Sequence, residues 1–415
     1  MDIVLHRVAR YAWDMVVNAS SPSAPLIWIL AGEASGDVLG ARLMQALQAR
    51  NPAIRFAGVG GVRMEEQGLH SLFPMRDLAV MGLVEVLPRL RSLSARLNEA
   101  VQDIEARRPD LVVTIDSPGF ALRLLRRIAG LGIPRVHYVA PQVWAWRQKR
   151  VKEFPGLWDE LLCLLPFEEE FFSRHGLLTK FVGHPVLQSG AETGDAARFY
   201  QQHGLKDGAR VLILMPGSRR SEAPRLLPVF GKMLALLQRD MPDVVPVIPV
   251  SPVVAATVAR ETARWPVRPV IVTEVQDKHD AFAAAGVALT KSGTSTLELA
   301  LAGVPMAVTY RVNPLTAFMA RRLIRVPYVA MVNLLAGRAI VPELLQEQCR
   351  PAVLASAVRA LFENPKLANG QKEAFKTVLH GLQGPGGKLP ADAAADAVLQ
   401  LLADKMQKKG ETENT

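Results

Sequence analysis

One segment constrains the fold more than any other, because it has the pattern of a strand, a turn, a helix and a second strand in succession. Residues 286–289 form an apolar run, and residues 292–296 are small and polar. A helical pattern then ends at Gly303, and a strand pattern begins after Pro305. Such a unit is typical of a parallel sheet whose connecting helices cover its faces.

The polar turn of this unit has the composition of an anion site. Because it opens a helix, its free backbone N–H groups and hydroxyls face the space beyond the end of the strand. We expect phosphates on Ser292, Gly293 and Thr294, and ribose hydroxyls on Glu298. The alternative is an ordinary helix cap, with Glu298 as a solvated surface residue.

A second glycine turn follows another apolar strand pattern, at residues 211–215. Gly217 and Ser218 present backbone N–H groups, and Arg219 supplies a guanidinium fork that suits a diphosphate. The alternative is a plain loop with a solvated arginine. We favour the ligand site, because this turn and residues 292–296 are expected at the carboxyl edge of one parallel sheet.

Two more polar residues stand at places where ligands bind in such sheets. Asp116 directly follows the buried strand pattern of residues 111–115, but it is equally suited to form a turn or cap a helix. Asn333 has the chemistry to donate to a pyrophosphate or a sugar, or merely to cap a turn.

The repeated strand patterns divide the chain into two domains. We predict a disordered leader over residues 1–24, an N-terminal domain over 25–188 and a C-terminal domain over 189–370. Residues 371–415 contain a last amphipathic helix and a charged tail. The sequence leaves open whether this helix packs back on the first domain or swaps between the chains of a homodimer.

The composition indicates a globular protein with no membrane span. Of the 415 residues 49% are hydrophobic, but no run of about eighteen uncharged apolar residues occurs. The two cysteines, Cys163 and Cys349, match neither a metal site nor a disulfide pattern, which favours the cytoplasm.

The net charge of +10 indicates an anionic partner. Basic residues cluster at 123–127, 147–152 and 321–325, which suits nucleic acid, an anionic bilayer or phosphorylated substrates. Without a zinc finger, an RNP-like motif or a long basic tail, nucleic acid is disfavoured. Residues 78–87 are largely apolar and predict either a buried helix or a lipid-facing patch.

Nine motifs along the chain resemble the lipid-A-disaccharide synthase family, a group of glycosyltransferases of the GT-B kind. They occur in the order of that family and span nearly the whole chain. The motifs are GEASGD (residues 32–37), AVMGLVEV (79–86), IDSP (115–118), HYVAPQVWAWRQKR (137–150), LPFE (165–168), FVGH (181–184), PGSR (216–219), SGTSTLE (292–298) and NLLAGR (333–338).

The resemblance implies two tandem Rossmann-like domains with the active site in the cleft between them. It implies an inverting enzyme that joins UDP-2,3-diacylglucosamine to 2,3-diacylglucosamine 1-phosphate, giving the β-1,6 lipid A disaccharide 1-phosphate and UDP. Asp116 would be the general base. Arg219, Asn333 and residues 292–294 would hold the donor phosphates, and Glu298 the ribose. No metal or cofactor is implied.

The implied substrates carry acyl chains, so the resemblance also implies peripheral attachment to the anionic inner membrane. Val80, Met81 and Leu83 are then the candidate membrane-facing residues. One departure concerns Gly119 and Ala121, where the family commonly has Asp and Asn. Two alternatives remain: an enzyme like UDP-N-acetylglucosamine 2-epimerase, and a non-catalytic protein that binds membrane surfaces or nucleic acid.

Overall fold

The computed structural model describes residues 24–78, 83–219, 222–313, 317, 322 and 326–413. Within these residues the strands form two parallel sheets of six strands each. The strands are β1 (Leu26–Ala31), β2 (Arg55–Val59), β3 (Leu111–Ile115), β4 (Arg135–Tyr138), β5 (Glu160–Cys163), β6 (Thr179–Phe181), β7 (Arg210–Met215), β8 (Val244–Pro249), β9 (Val270–Val272), β10 (Ala285–Lys291), β11 (Met306–Tyr310) and β12 (Glu343–Leu345).

Helices alternate with the strands, as the βα pattern of the sequence predicts. They are α1 (Ala34–Arg50), α2 (Val62–Glu65), α3 (Leu83–Arg107), α4 (Pro118–Arg127), α5 (Val143–Trp146), α6 (Pro166–Ser173), α7 (Ala196–Gln202), α8 (Ala223–Asp240), α9 (Ala255–Thr262), α10 (Val275–Ala284), α11 (Ser295–Leu301), α12 (Met331–Ala336), α13 (Pro351–Glu363), α14 (Pro365–His380) and α15 (Pro390–Glu413).

The described residues divide into two compact units. Unit 1 runs to Pro141, includes Lys149–Gly183 and ends with the segment that begins at Lys388. Unit 2 comprises Gln142–Gln148 and His184–Gly387. The last change from unit 1 to unit 2, between Gly183 and His184, lies five residues before the predicted boundary at 188.

The sheet of unit 1 has the strand order β2-β1-β3-β4-β5-β6. The chain leaves β1 toward β2 on one side and returns to β3 on the other, so the order reverses between β1 and β3. Every residue of β3 is buried, because helices cover both faces of a parallel sheet. Ligands of such sheets bind beyond the carboxyl ends of the strands at this reversal.

The sheet of unit 2 has the order β12-β11-β10-β7-β8-β9. Here the order reverses between β7 and β10, which pair in parallel from Ala285 and Val211 to Thr290 and Met215. The buried interior of this unit gathers apolar residues of β7, β10, α8 and α13. The same topological rule therefore places a ligand site beyond the ends of β7 and β10.

The C-terminal helix α15 belongs to unit 1 and packs against α1 of the same chain. Arg50 of α1 makes ion pairs with Asp392 (2.9 Å) and Asp396 (2.6 Å). Several alanines of α15 and Val398 lie in the buried core of unit 1.

These observations confirm the predicted fold class of two Rossmann-like units. The apolar runs at 26–30, 111–115 and 211–215 correspond to β1, β3 and β7. In the described part of the chain, every helix is too short or too polar to cross a bilayer.

Candidate active site

Both predicted phosphate turns lie at the carboxyl edge of the unit 2 sheet. Residues 216–219 follow β7 and residues 292–294 follow β10, its neighbour in the sheet. Gly217 and Gly293 have positive φ values, 104° and 149°, which side chains rarely adopt. The two glycines therefore allow both turns to expose their backbones at the topological reversal.

Arg219 is the exposed charge of the first turn. About 60% of its side chain is exposed, and its Nη1 lies 3.4 Å from Glu222 Oε1. The backbone N–H of Arg219 also donates to Glu222 Oε2 (3.3 Å). Ser218 is exposed beside it. The guanidinium thus has a partner on one side and solvent on the other.

Two hydrogen bonds fix the second turn, and Gly293 and Thr294 form its open side. The hydroxyl of Ser292 donates to the carbonyl oxygen of Val329 (2.6 Å), and that of Thr296 donates to the carbonyl of Gly293 (2.8 Å). Thr294 is exposed. Helix α11, which follows, has only seven residues, so the anion site expected here depends on the turn itself.

Glu298 has an internal partner, unlike a solvated helix residue. Its Oε1 accepts a hydrogen bond from Lys278 Nζ of α10 at 3.2 Å, and both side chains are about three-quarters buried. The ion pair fixes the carboxylate next to the second turn.

The side chain of Asn333 has all its hydrogen-bond partners within the protein. Its side chain is fully buried, and its amide makes four hydrogen bonds within the protein. Nδ2 donates to Val341 O and Glu343 Oε1, while Oδ1 accepts from the N–H groups of Ile340 and Val341. These bonds leave no amide donor for a phosphate.

Glu343 is a residue that the sequence analysis missed. Besides the amide of Asn333, its carboxylate accepts the backbone N–H groups of Val329 and Ala330. Because Val329 in turn accepts the hydroxyl of Ser292, this cluster supports the second turn. The sequence signal was faint, since Glu343 is one charged residue in a strand of only three.

In unit 1, Asp116 directly follows β3 and lies next to the reversal of that sheet. Its N–H donates to the carbonyl of Tyr138 (2.9 Å), and the residue at the N-cap position of α4 is Ser117, whose side chain makes no capping hydrogen bond. Asp116 is therefore not the helix cap that the sequence left open. Burial raises the pKa of its carboxyl group, and a backbone hydrogen bond from Ser117 opposes this rise.

The backbone is strained where β3 and β4 end. Asp116, Ser117 and Val139 have positive φ values of 50°, 46° and 79°. Each such residue costs on the order of 1–3 kcal/mol, and a β-branched residue is rare in this region. Gly32 makes the turn possible, because a Cβ there would lie 2.3 Å from Ser117 Oγ.

Two nearby positions have core roles in this chain. His137 is fully buried, its Nδ1 is 2.8 Å from Thr114 Oγ1, and it stacks on Trp158. Burial lowers its pKa to about 4. Ala121, where the family commonly has Asn, is fully buried in α4. Its side chain therefore faces the protein interior.

The membrane-facing candidates are only partly within the described residues. Val80 and Met81 lie outside them, and Leu83 is the first residue of α3 but its side chain is not described. The basic cluster at 123–127 lies on α4, whose Arg123, Arg126 and Arg127 are exposed opposite a buried apolar face.

Two Rossmann-like units with candidate residues at their sheet reversals define a protein of the GT-B class, the architecture of many nucleotide-sugar glycosyltransferases. The glycotransferase of kitacinnamycin has this fold, with a TM-score of 0.61 at 18% identity over 92% of this chain and 100% of its own. The chain belongs to the lipid-A-disaccharide synthase family. The family model described as lipid-A-disaccharide synthetase matches residues 27–395. The lipid-A-disaccharide synthase of Gluconobacter oxydans is 67% identical over 383 residues, which cover 92% of each protein.

The epimerase alternative rests on fold alone. A UDP-GlcNAc 2-epimerase from Neisseria meningitidis has a TM-score of 0.58 but only 13% identity, over 86% of this chain and 99% of its own. The comparisons therefore favour the synthase over the epimerase.

Proposed function

We propose that this chain is a lipid-A-disaccharide synthase that transfers the sugar of UDP-2,3-diacylglucosamine to the 6-hydroxyl of 2,3-diacylglucosamine 1-phosphate. The observation that carries the proposal is the pair of glycine turns at the ends of β7 and β10, flanked by Arg219 and Glu298. In a chain of this family, that arrangement suits a UDP-sugar.

The donor occupies unit 2 in this proposal. Backbone N–H groups of Gly217, Ser218 and residues 292–294 donate to the diphosphate, and Arg219 adds a charge-assisted contact. Glu298 accepts ribose hydroxyls, and Lys278 fixes its carboxylate. As the bond between the sugar carbon and the diphosphate breaks, these donors stabilise the charge that develops on UDP.

Asn333 has a positioning role in this account. Its four hydrogen bonds hold residues 340–343 against α12, and the shared partner Glu343 supports the turn that carries Ser292. This replaces the direct phosphate contact that the resemblance implied for Asn333.

Asp116 is the proposed general base. Its carboxylate takes the proton of the acceptor 6-hydroxyl while the oxygen attacks the anomeric carbon, and the bonding electrons of the leaving group pass to UDP. Two features support this role: a carboxyl pKa that burial raises, and a strained backbone of the kind found at functional sites.

We also propose that the protein acts in the cytoplasm, at the surface of the inner membrane. The acyl chains of both substrates require such a place, and the exposed arginines of α4 suit an anionic bilayer. Val80, Met81 and Leu83 remain the proposed apolar contacts.

Product analysis tests the proposed reaction. The protein is incubated with both substrates in mixed micelles that contain EDTA, and UDP and disaccharide are quantified. We expect equal amounts of both products, a β linkage, dependence on the acceptor and resistance to the chelator. UDP release without acceptor would instead indicate hydrolysis or epimerase-like chemistry, and no release would indicate a non-catalytic binding protein.

A further inference from the structure

An ion pair in unit 2 lies between the two glycine turns. Lys291, the last residue of β10, places its Nζ 3.2 Å from Oε1 of Glu222, which directly precedes α8. The side chains are 17% and 5% exposed, so the pair is largely shielded from water. A largely buried charge pair restricts both groups to a defined geometry more than a surface pair does.

The glycines show how closely the pair approaches each turn. A Cβ on Gly217 would lie 2.4 Å from Glu222 Oε2, and a Cβ on Gly293 would lie 3.2 Å from Lys291 Nζ. The carboxylate therefore rests against the first turn and the ammonium against the second. Any side chain at either glycine would push into the pair.

The carboxylate of Glu222 also contacts Arg219. Arg219 Nη1 lies 3.4 Å from Glu222 Oε1, and the Arg219 N–H donates to Oε2. Two cations thus share one carboxylate, which leaves an excess of one positive charge between the turns. Burial raises the pKa of the Tyr310 phenol at the end of β11, and the charge of Glu222 adds to this rise.

We propose that Lys291 is a further substrate-binding residue, whose ammonium donates to the β-phosphate of the bound nucleoside diphosphate, and that Glu222 is a positioning residue for Lys291 and Arg219. This inference rests on the proposed function, because it assigns the diphosphate to the two turns. Lys291 is suited to this task, since its ammonium lies at the turn that carries Ser292 to Thr294 and has donors beyond the one that Glu222 accepts.

The contact between Lys291 and the β-phosphate becomes more favourable during the reaction. When the bond to the sugar carbon breaks, its electron pair remains on the β-phosphate oxygen, so negative charge grows at the phosphate that Lys291 faces. A cation held in advance by Glu222 needs no reorganisation at that moment. We therefore expect loss of Lys291 to lower kcat as well as donor affinity.

Comparison of UDP with UMP tests the assignment of Lys291, because UMP lacks the β-phosphate. Affinities for both are measured calorimetrically with wild-type protein, Lys291→Met and the control Lys232→Met, which removes an exposed charge from α8. We expect Lys291→Met to weaken UDP binding roughly tenfold to a hundredfold. Its affinity for UMP should stay within about twofold of the wild-type value. The control should resemble wild type for both.

Other outcomes separate the two claims. If Lys291→Met weakens the binding of UDP and UMP equally, or changes the binding of neither, the assignment of Lys291 is wrong while the proposed function stands. If wild-type protein binds no UDP, the proposed function itself fails. Should Lys291→Met unfold, Lys291→Gln replaces it under the same criteria.

Glu222→Gln tests the positioning role. We expect this variant to weaken the binding of UDP more than that of UMP. Its effect on UDP binding should be less than additive with that of Lys291→Met, because both changes disturb the same contact. A fully additive double variant, or a lower thermal stability with an unchanged ratio of UDP to UMP affinity, would contradict the role assigned to Glu222.

Discussion

At the scale of single residues, the buried amide of Asn333 fixes the course of the chain behind the donor site. The bonds of its amide satisfy two backbone N–H groups and one carbonyl that would otherwise lie unpaired in the interior. Unpaired buried polar groups are more costly than the bonds are stabilising. The residue therefore matters to the site through the backbone that it orders.

Replacing Asn333 with Ala should lower the free energy of unfolding by roughly 2–4 kcal/mol, because several buried groups lose their partners. Urea unfolding measures this value. The matched control is Asn364→Ala, which removes a helix cap that accepts from Leu367 N (3.1 Å) and should cost about 1 kcal/mol. Equal losses in the two variants would contradict the buried network.

Gly217→Ala should raise the donor KM by roughly tenfold or more, because the new Cβ would meet the carboxylate of Glu222 in a backbone conformation that alanine rarely adopts. Steady-state kinetics with varied UDP-sugar measures the effect. Gly303→Ala is the control, since φ there is 68° but the space is open. A similar rise in KM for both variants would argue against a ligand at the first turn.

At the scale of elements, a buried carboxylate joins α7 to α10 in unit 2. Asp280 accepts hydrogen bonds from Nε and Nη2 of Arg198, both 2.5 Å, and from Asp195 N at 2.8 Å. The bond with Arg198 lowers the pKa of Asp280 to about 2. The folded state therefore favours the ionised carboxylate.

This lowered pKa predicts how the stability of wild type and Asp280→Asn will differ with pH. The contribution of the ionised group is complete above the ordinary value of 3.8 and disappears as the pH falls toward about 2. Asp280→Asn should therefore be less stable at pH 7, with a difference that narrows below pH 3.8. Asp243→Asn, from an exposed pair with Arg210, should show little difference at either pH. Thermal unfolding across this range checks both variants, and a constant gap for Asp280→Asn would contradict the assignment.

The elements that the sequence predicts well are those with a strong local signal. The largely apolar runs that became β1, β3 and β7 could be recognised because buried parallel strands need apolar residues on both faces. Strand β12 was missed, since its three half-buried residues lie at the sheet edge and carry no such run.

The residues of the candidate site also differ in how strong a local sequence signal they carry. Gly217, Arg219 and Gly293 directly follow apolar strands, so their place at the sheet edge could be inferred from the sequence. The roles of Glu222 and Lys291 could not, because they depend on each other across 69 residues of chain. The hydrogen bonds of Asn333 could not be predicted for a related reason: an amide's partners are set by packing, and its residue type alone does not reveal them.

At the scale of the whole molecule, the proposed attachment to a bilayer surface rests on the positive net charge and on the acyl chains of the proposed substrates. Changing Val80, Met81 and Leu83 together to Ser should reduce flotation with anionic vesicles, because these side chains are the proposed apolar contacts. The control changes three apolar residues that are exposed in unit 2, namely Val253, Val275 and Leu367, to Ser. Equal flotation of the two triple variants would contradict residues 80–83 as the anchor.

The central claim is that Asp116 is the base of a UDP-sugar transferase. Asp116→Asn retains the size of the side chain but removes its basic oxygen. Acceptor-dependent UDP release in mixed micelles should fall roughly a hundredfold or more, while UDP binding remains near that of wild type. Because burial raises the pKa of Asp116, the wild-type rate should also decline on an acid limb centred above 3.8. A variant that retains release within about threefold of wild type would contradict the claim, since general-base assistance contributes at least about a hundredfold.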